Sequence, residues 1–149
     1  MQKGQSKYND MKHHDIHKYQ QILAKFCLDT MNKKLKMNIL GLPLEAVLLS
    51  YDDINPEERE GLKARLSRKL QYACRYWINH VTEMRKNDVE SVREPLQYFI
   101  LDKKHFLHWL EVISVIGGVS ETGDALISLY NWFKVRNKCS YYTLTIKKL

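Results

Sequence analysis

The sequence predicts an all-α fold, a single-domain helical bundle of about five main helices with an irregular C-terminal tail. Apolar residues recur at steps of three and four through most of the chain, the spacing that gathers them on one face of a helix. Punctuation is sparse, with three prolines and six glycines in 149 residues, so the elements between breaks are long. The breaks that do occur carry helix-start and helix-stop chemistry. A chain of this length fits one domain with a real core. The expected layout is a polar lead over residues 1–12, a helical domain over 13–137 and an extended or disordered tail over 138–149.

The first helix is expected from His13. Ile16, Tyr19, Ile22/Leu23, Phe26/Cys27, Thr30/Met31 and Leu35 share a face, with Lys18, Lys25, Asp29, Asn32 and Lys33 opposite. Asn38-Ile-Leu-Gly-Leu-Pro43 ends it, since Gly41 suits a left-handed cap and Pro43 cannot continue a helix. Leu44–Leu49 reads as a short apolar turn docked on the core. Asn55-Pro56-Glu57-Glu58 is a strong helix start: a capping asparagine, a proline at the first position and two carboxylates at the positive end of the dipole. Leu62, Leu66, Leu70, Ala73, Trp77, Val81 and Met84 then mark one long amphipathic helix to about Arg85. Ser91-Val-Arg-Glu94 reads as a capping box with Pro95 in the first turn of the next helix. That helix passes a potential break near Asp102–Lys104 and runs on through Phe106, Leu107, Trp109/Leu110, Ile113 and Ile116 to Gly117-Gly118. A last helix starts at Ser120-Glu121 and carries Ala125, Leu126, Leu129 and Trp132/Phe133. Cys139–Ile146 is β-branched and aromatic, but a lone strand has no sheet to join. The expected core comprises Leu23, Phe26, Leu66, Leu70, Ala73, Trp77, Leu107, Leu110, Ile113, Leu129 and Trp132.

Hydrophobic residues at 44% and charged residues at 28% place the chain among ordinary globular proteins. The net charge of +7 permits an anionic partner, but the basic residues are spread along the chain rather than massed in a block. Cys27, Cys74 and Cys139 are an odd number at wide spacing, which is no disulfide framework and fits a reducing, cytoplasmic setting. The N-terminal MQKGQSKYNDMKHHD lacks an apolar core for a signal peptide, and apolar runs fall short of the ~18 residues of a membrane span.

Each reactive-looking cluster has a plainer reading. His13, His14 and His17 form H-H-x-x-H, but the place of a catalytic glutamate holds His14. His105 and His108, with Asp102 and Glu111, read as the wet edge of a helix whose other faces carry Phe106, Leu107, Trp109 and Leu110. Gly118-Val-Ser-Glu-Thr-Gly123-Asp has the glycine spacing of a phosphate loop, but Asp124 stands where the lysine belongs. Cys74 and His80 cannot face each other as nucleophile and base on one helix. No catalytic residue, metal ligand or cofactor site is therefore expected, and the chain reads as non-enzymatic. Lys63, Arg65, Arg68, Lys69, Arg75 and Arg85, interleaved with Tyr76, form the best nucleic-acid patch. A small basic helical nucleic-acid-binding protein, with contact through Lys69, Arg75 and Arg85, is thus the alternative reading.

Four stretches carry a family pattern: His17 through Cys27-Leu28-Asp-Thr-Met31; Leu35-Lys-Met-Asn38-Ile39; Leu70 to Val81; and Phe106 to Gly117. The third reads L-x-Y-A-C-x-x-W-x-x-H and the fourth F-L-x-W-L-E-x-x-S. Over residues 13–133 the chain resembles the helical region after the NACHT-type NTPase of NOD-like-receptor STAND proteins of mushroom-forming fungi, which often carry WD40 repeats. The resemblance implies an intracellular helical segment that links a switch NTPase to a sensor array. Its partners would be other proteins, or the NTPase and repeat domains of a larger relative. The family's nucleotide-binding motifs are not present in these residues, so NTPase activity is not carried over. A truncated paralogue and a fragment of a longer chain are both readings of its extent.

Overall fold

The computed structural model describes residues 3–42, 55–101 and 103–136, with side chains from Ile16 onward except Lys86, Lys103 and Arg136. It is all-helical over these residues: α1 (Lys3–Lys34), α2 (Pro56–Ala64), α3 (Arg68–Thr82), α4 (Glu90–Leu101), α5 (Lys103–Ile116) and α6 (Val119–Arg136), with a 3-10 turn at Lys86–Asp88. Leu44–Leu49 and the 138–149 tail lie outside the described residues. α1 begins at Lys3, well before the His13 that periodicity gives. Lys, Gln and Met are good helix formers and no proline interrupts them, so a helix anchored downstream can propagate through this polar stretch.

The long helix expected from Pro56 to Arg85 is two. Asn55 starts the first as predicted, its Oδ1 accepting from the Glu58 backbone N–H at 2.8 Å. The chain then leaves the helix at Arg65, and Ser67 caps α3, its hydroxyl accepting from the Leu70 N–H. Gln71 reaches back to the carbonyls of Lys63 (2.9 Å) and Leu66 (3.0 Å), tying the two helices together across the break, where the Leu66 N–H also returns to Lys63. Leu62, Leu66 and Leu70 stay buried on both sides of the break, so the four-residue step runs straight across it. Ser67→Ala removes the cap and is expected to cost about 1 kcal/mol, seen as a lower urea midpoint at unchanged m-value.

Other boundaries follow from local chemistry. After α1, Asn38 (φ 49°) and Gly41 (φ 63°) take left-handed conformations, and the Asn38 side chain both donates to and accepts from Leu42. α4 starts at Glu90, so Ser91 lies inside it, bonded to the Asp88 carbonyl at 2.7 Å, and Pro95 falls past the first turn. Ser91 is therefore not the cap of this helix, which starts two residues before the predicted Val92. At the end of α5, Gly117 (φ 79°) lets the Gly118 N–H return to the Ile113 carbonyl at 3.2 Å, a left-handed helix stop.

α3 is the central element, packed on α1, α5 and α6, while α1 also lies along α4. Every residue from Leu70 to Val81 on its inner face is buried: Leu70, Ala73, Cys74, Trp77, Ile78 and Val81. Trp77 meets Phe99 of α4 and Trp109 of α5 edge-on, at ring separations of 5.1 and 5.8 Å. Such tilted contacts add to plain burial because ring edges and faces carry opposite partial charge. The Trp109 indole N–H donates to the Cys74 carbonyl at 2.8 Å, joining the two family-marker stretches directly.

Seven of the expected core residues are buried: Leu66, Leu70, Ala73, Trp77, Ile113, Leu129 and Trp132. Two helices are turned from the expected face. On α1, Ala24, Cys27, Leu28, Met31 and Leu35 point inward, Leu23 is half-buried and Phe26 is exposed. On α5, Trp109, Val112, Ile113, Val115 and Ile116 point inward, while Leu107 and Leu110 are exposed. Both helices carry apolar residues around most of their circumference, so two stripes satisfy a three-four spacing. The aromatic cluster and the Trp109 hydrogen bond select one on α5.

Candidate interaction surface

The outer edge of the α1–α3 seam is built from a chain of side-chain hydrogen bonds. The Tyr72 hydroxyl lies 2.8 Å from His80 Nε2, His80 Nδ1 lies 2.7 Å from Gln20 Oε1, and Gln20 Nε2 lies 2.5 Å from Glu83 Oε2. His17 Nδ1 adds a contact to the Glu83 carbonyl at 3.1 Å. Proton roles follow from donor counting. The Glu83 carboxylate only accepts, so Gln20 turns its amide nitrogen there and its oxygen to His80. That oxygen only accepts, so His80 Nδ1 donates, and in the neutral ring Nε2 accepts from Tyr72. Ascending α1 positions pair with descending α3 positions, so the two helices run antiparallel.

Burial holds the His80 pKa below its ordinary 6.5, with Glu83 pulling weakly the other way. The unfolded chain therefore takes up this proton first as pH falls. The contribution of neutral His80 is complete above the unfolded value and is lost as pH drops through the folded one. Urea midpoints are expected to fall between about pH 7.5 and about pH 5.5, and His80→Gln is expected to flatten that difference.

Beyond this seam α1 carries an apolar ridge that nothing in the described structure covers. Tyr19 is 65% exposed, Ile22 55%, Ile16 51% and Phe26 40%. At 3.6 residues per turn, the centre of this ridge lies roughly 150° around the helix from the inward residues Ala24, Cys27, Leu28 and Met31. Four large apolar side chains within three turns exceed the isolated exposed residues common on monomer surfaces. Across the seam α3 presents Tyr72 and Tyr76, both exposed, with ring centroids 5.0 Å apart. Ridge and tyrosines lie on the outer side of the seam that the Tyr72–His80–Gln20 chain closes.

The residues of the alternative nucleic-acid reading do not form one stripe. Lys69 is exposed near the start of α3. Arg75 donates from Nη2 to the Ile116 carbonyl at 2.5 Å, closing the C-terminal end of α5. Arg85 is half-buried beyond α3, where the 3-10 turn begins. Lys63 is paired with Glu60 at 2.6 Å, and Arg65 donates to the Leu40 carbonyl at 2.6 Å. Arg68 remains exposed beside Lys69.

The side chains of His13, His14 and Asp102 lie outside the described residues. His105 contacts the Asn32 carbonyl at 3.2 Å and the Tyr98 ring, and Glu111 receives the Ser114 hydroxyl at its own carbonyl. Cys27 and Cys74 are free thiols in the core, and burial raises both, Cys27 to about 12. Thiols held protonated in this way are poor nucleophiles. The glycine-spaced stretch from Gly118 forms the first turns of α6, where the Thr122 hydroxyl closes on the Gly118 carbonyl. Among the described residues no group of three or more His, Cys, Asp or Glu could hold a metal ion. A cleft of about 560 Å³ separates α3, α5 and α6, floored by Ile78, Trp109 and Ile113 and rimmed by Arg75, Glu121 and Asp124. The Ser120 hydroxyl at 2.8 Å and the nearby Arg75 hold the Glu121 carboxyl below its usual range, so it stays ionised.

Fold and surface together define an all-α helical domain with an exposed apolar ridge on its longest helix. The chain matches no protein-family model, no curated protein and no solved structure. Among the described residues no helix is long and apolar enough to cross a membrane.

Proposed function

We propose that the chain is a non-enzymatic helical module for protein–protein interaction, comparable to the connector between NTPase and sensor repeats in the fungal STAND proteins it resembles. The observation that carries this reading is the exposed ridge of Ile16, Tyr19, Ile22 and Phe26. A ridge of this kind loses free energy to water until another surface covers it. The marker residues of the resemblance support a structural role. Trp77 and Trp109 pack the core, and Tyr72 and His80 tie α3 to α1. A rigid central helix with a free apolar flank suits a connector, which must hold its own shape while seating a neighbour.

Site-specific photo-crosslinking tests the reading. With p-benzoylphenylalanine at position 26, protein adducts are expected in cells, and none with the same group at the exposed position 60. Equal yields at the two positions would remove the ridge as an interface.

A further inference from the structure

We infer that the outer face of the α1–α3 pair receives an acidic amphipathic helix. This deepens the interaction reading above and rests on it. The face is apolar or aromatic: Ile16, Tyr19, Ile22 and Phe26 from α1, Tyr72 and Tyr76 from α3. The margins are basic. From Ile16 to Lys34 the lysines are Lys18, Lys25, Lys33 and Lys34, all exposed, against one carboxylate, Asp29. Asp29 pairs with Lys25 at 3.4 Å, which leaves an excess of three positive charges on this part of α1. Arg68 and Lys69 stand exposed at the N-terminal end of α3, while Glu83, at the opposite end, keeps its charge and accepts from the Gln20 amide.

An apolar strip with Lys18 and Lys25 along one side and Arg68 and Lys69 at one end is complementary to a helix with apolar residues at i, i+3, i+4 and i+7 and carboxylates beside them. The same charge pattern selects against a second copy of this chain. Two copies meeting along the ridge would bring their lysine rows together in a molecule of net charge +7. A nucleic acid would meet the same cations and could stack on Tyr72 and Tyr76, but it would leave the exposed aliphatic side chains of Ile16 and Ile22 uncovered, and Arg75 is engaged at the end of α5.

The test uses two hydrocarbon-stapled peptides with one shared apolar row, one flanked by glutamates and the other by lysines. Both are shown helical by circular dichroism, labelled with fluorescein and titrated into the full chain. The glutamate peptide is expected to bind at least about tenfold tighter than its lysine twin. Lys18→Glu/Lys25→Glu/Lys69→Glu should reverse that preference, and Phe26→Glu should weaken both peptides, while the circular dichroism of each variant stays unchanged. Equal or tighter binding of the lysine twin overturns the inference. So does indifference to Phe26→Glu, or a doubled light-scattering mass of the chain alone that Phe26→Glu reverts. Binding of a poly(U) oligonucleotide that displaces the glutamate peptide would also overturn it. Crosslinks at position 26 combined with no preference between the peptides would remove the acidic helix and leave the interaction reading standing. No crosslinks at position 26 would remove that reading whatever the peptides do.

Discussion

Trp109→Ala is expected to destabilise the domain by about 3–5 kcal/mol, a large part of the stability of a domain this size. The ring is essentially fully buried and sits against Trp77, Phe99 and Phe106, so its removal takes three aromatic contacts from one point. These partners come from α3, α4 and α5, which leaves little chance for one element to collapse into the cavity alone. Trp109→Phe separates the two contributions. It keeps one aromatic ring but loses the indole N–H to Cys74 and the volume of the second ring, for an expected cost of about 1–3 kcal/mol. Leu107→Ala, two residues away on the exposed side of α5, is expected to stay within about 0.5 kcal/mol. Urea unfolding followed by tryptophan fluorescence and far-UV circular dichroism ranks the three. Equal effects from Leu107→Ala and Trp109→Ala would contradict the orientation of α5.

That orientation marks the limit of what periodicity conveys. The all-α class, the Asn55 start, the glycine stop after Ile116 and the inner face of α3 were legible because each rests on local chemistry or on a clean stripe. α3 is unambiguous, since its outward positions are Arg68, Lys69, Arg75 and Asn79 together with two tyrosines whose hydroxyls suit a wet face, Tyr72 and Tyr76. α5 has no comparable polar face, and Leu107-Leu110 competes with Trp109-Val112 as the inward row. Only a tertiary contact, the indole bond to Cys74, decides between them. The break at Ser67 was hidden for a related reason. Leucines at 62, 66 and 70 keep one phase through it, and the sole local sign was a serine at a position any surface helix tolerates. On α1 the same ambiguity hid the candidate surface itself. Phe26 satisfied a helical stripe and was assigned to the core, although a second stripe through Ala24, Cys27, Leu28 and Met31 was also present. A helix with apolar residues on two faces in a small bundle leaves one of them outside, and on α1 that is the face of Ile16, Tyr19, Ile22 and Phe26. The hydrogen-bonded chain from Tyr72 to Glu83 has no sequence signal, because its links from Gln20 to His80 and Glu83 span 60 and 63 positions through antiparallel packing.

Ile22→Glu combined with Phe26→Glu is expected to leave folding almost untouched and to abolish partner binding. Ile22 is mostly exposed and Phe26 partly so, and both point away from the inward row, so the stability change should fall within about 0.5 kcal/mol. A carboxylate at position 22 also lies one turn from Lys18 and from Lys25, where an opposite charge favours the helix slightly. At an interface the result differs, because a buried carboxylate must be paired or dehydrated at a cost. Two such groups at the centre of the ridge should weaken binding by at least a hundredfold, the scale of a lost hot spot. Met31→Ala is the control from the other face of the same helix. Met31 is fully buried, so truncation should cost about 2–5 kcal/mol while leaving the ridge chemistry intact. Chemical unfolding and titration with the glutamate-flanked peptide, run on both variants, should therefore give opposite patterns. The ridge variant keeps its urea midpoint and loses the peptide, and the core variant loses its midpoint and, where still folded, keeps the peptide. If the ridge variant instead unfolds at markedly lower urea, Ile22 and Phe26 belong to the core, and the outer face of α1 is not a surface for any partner.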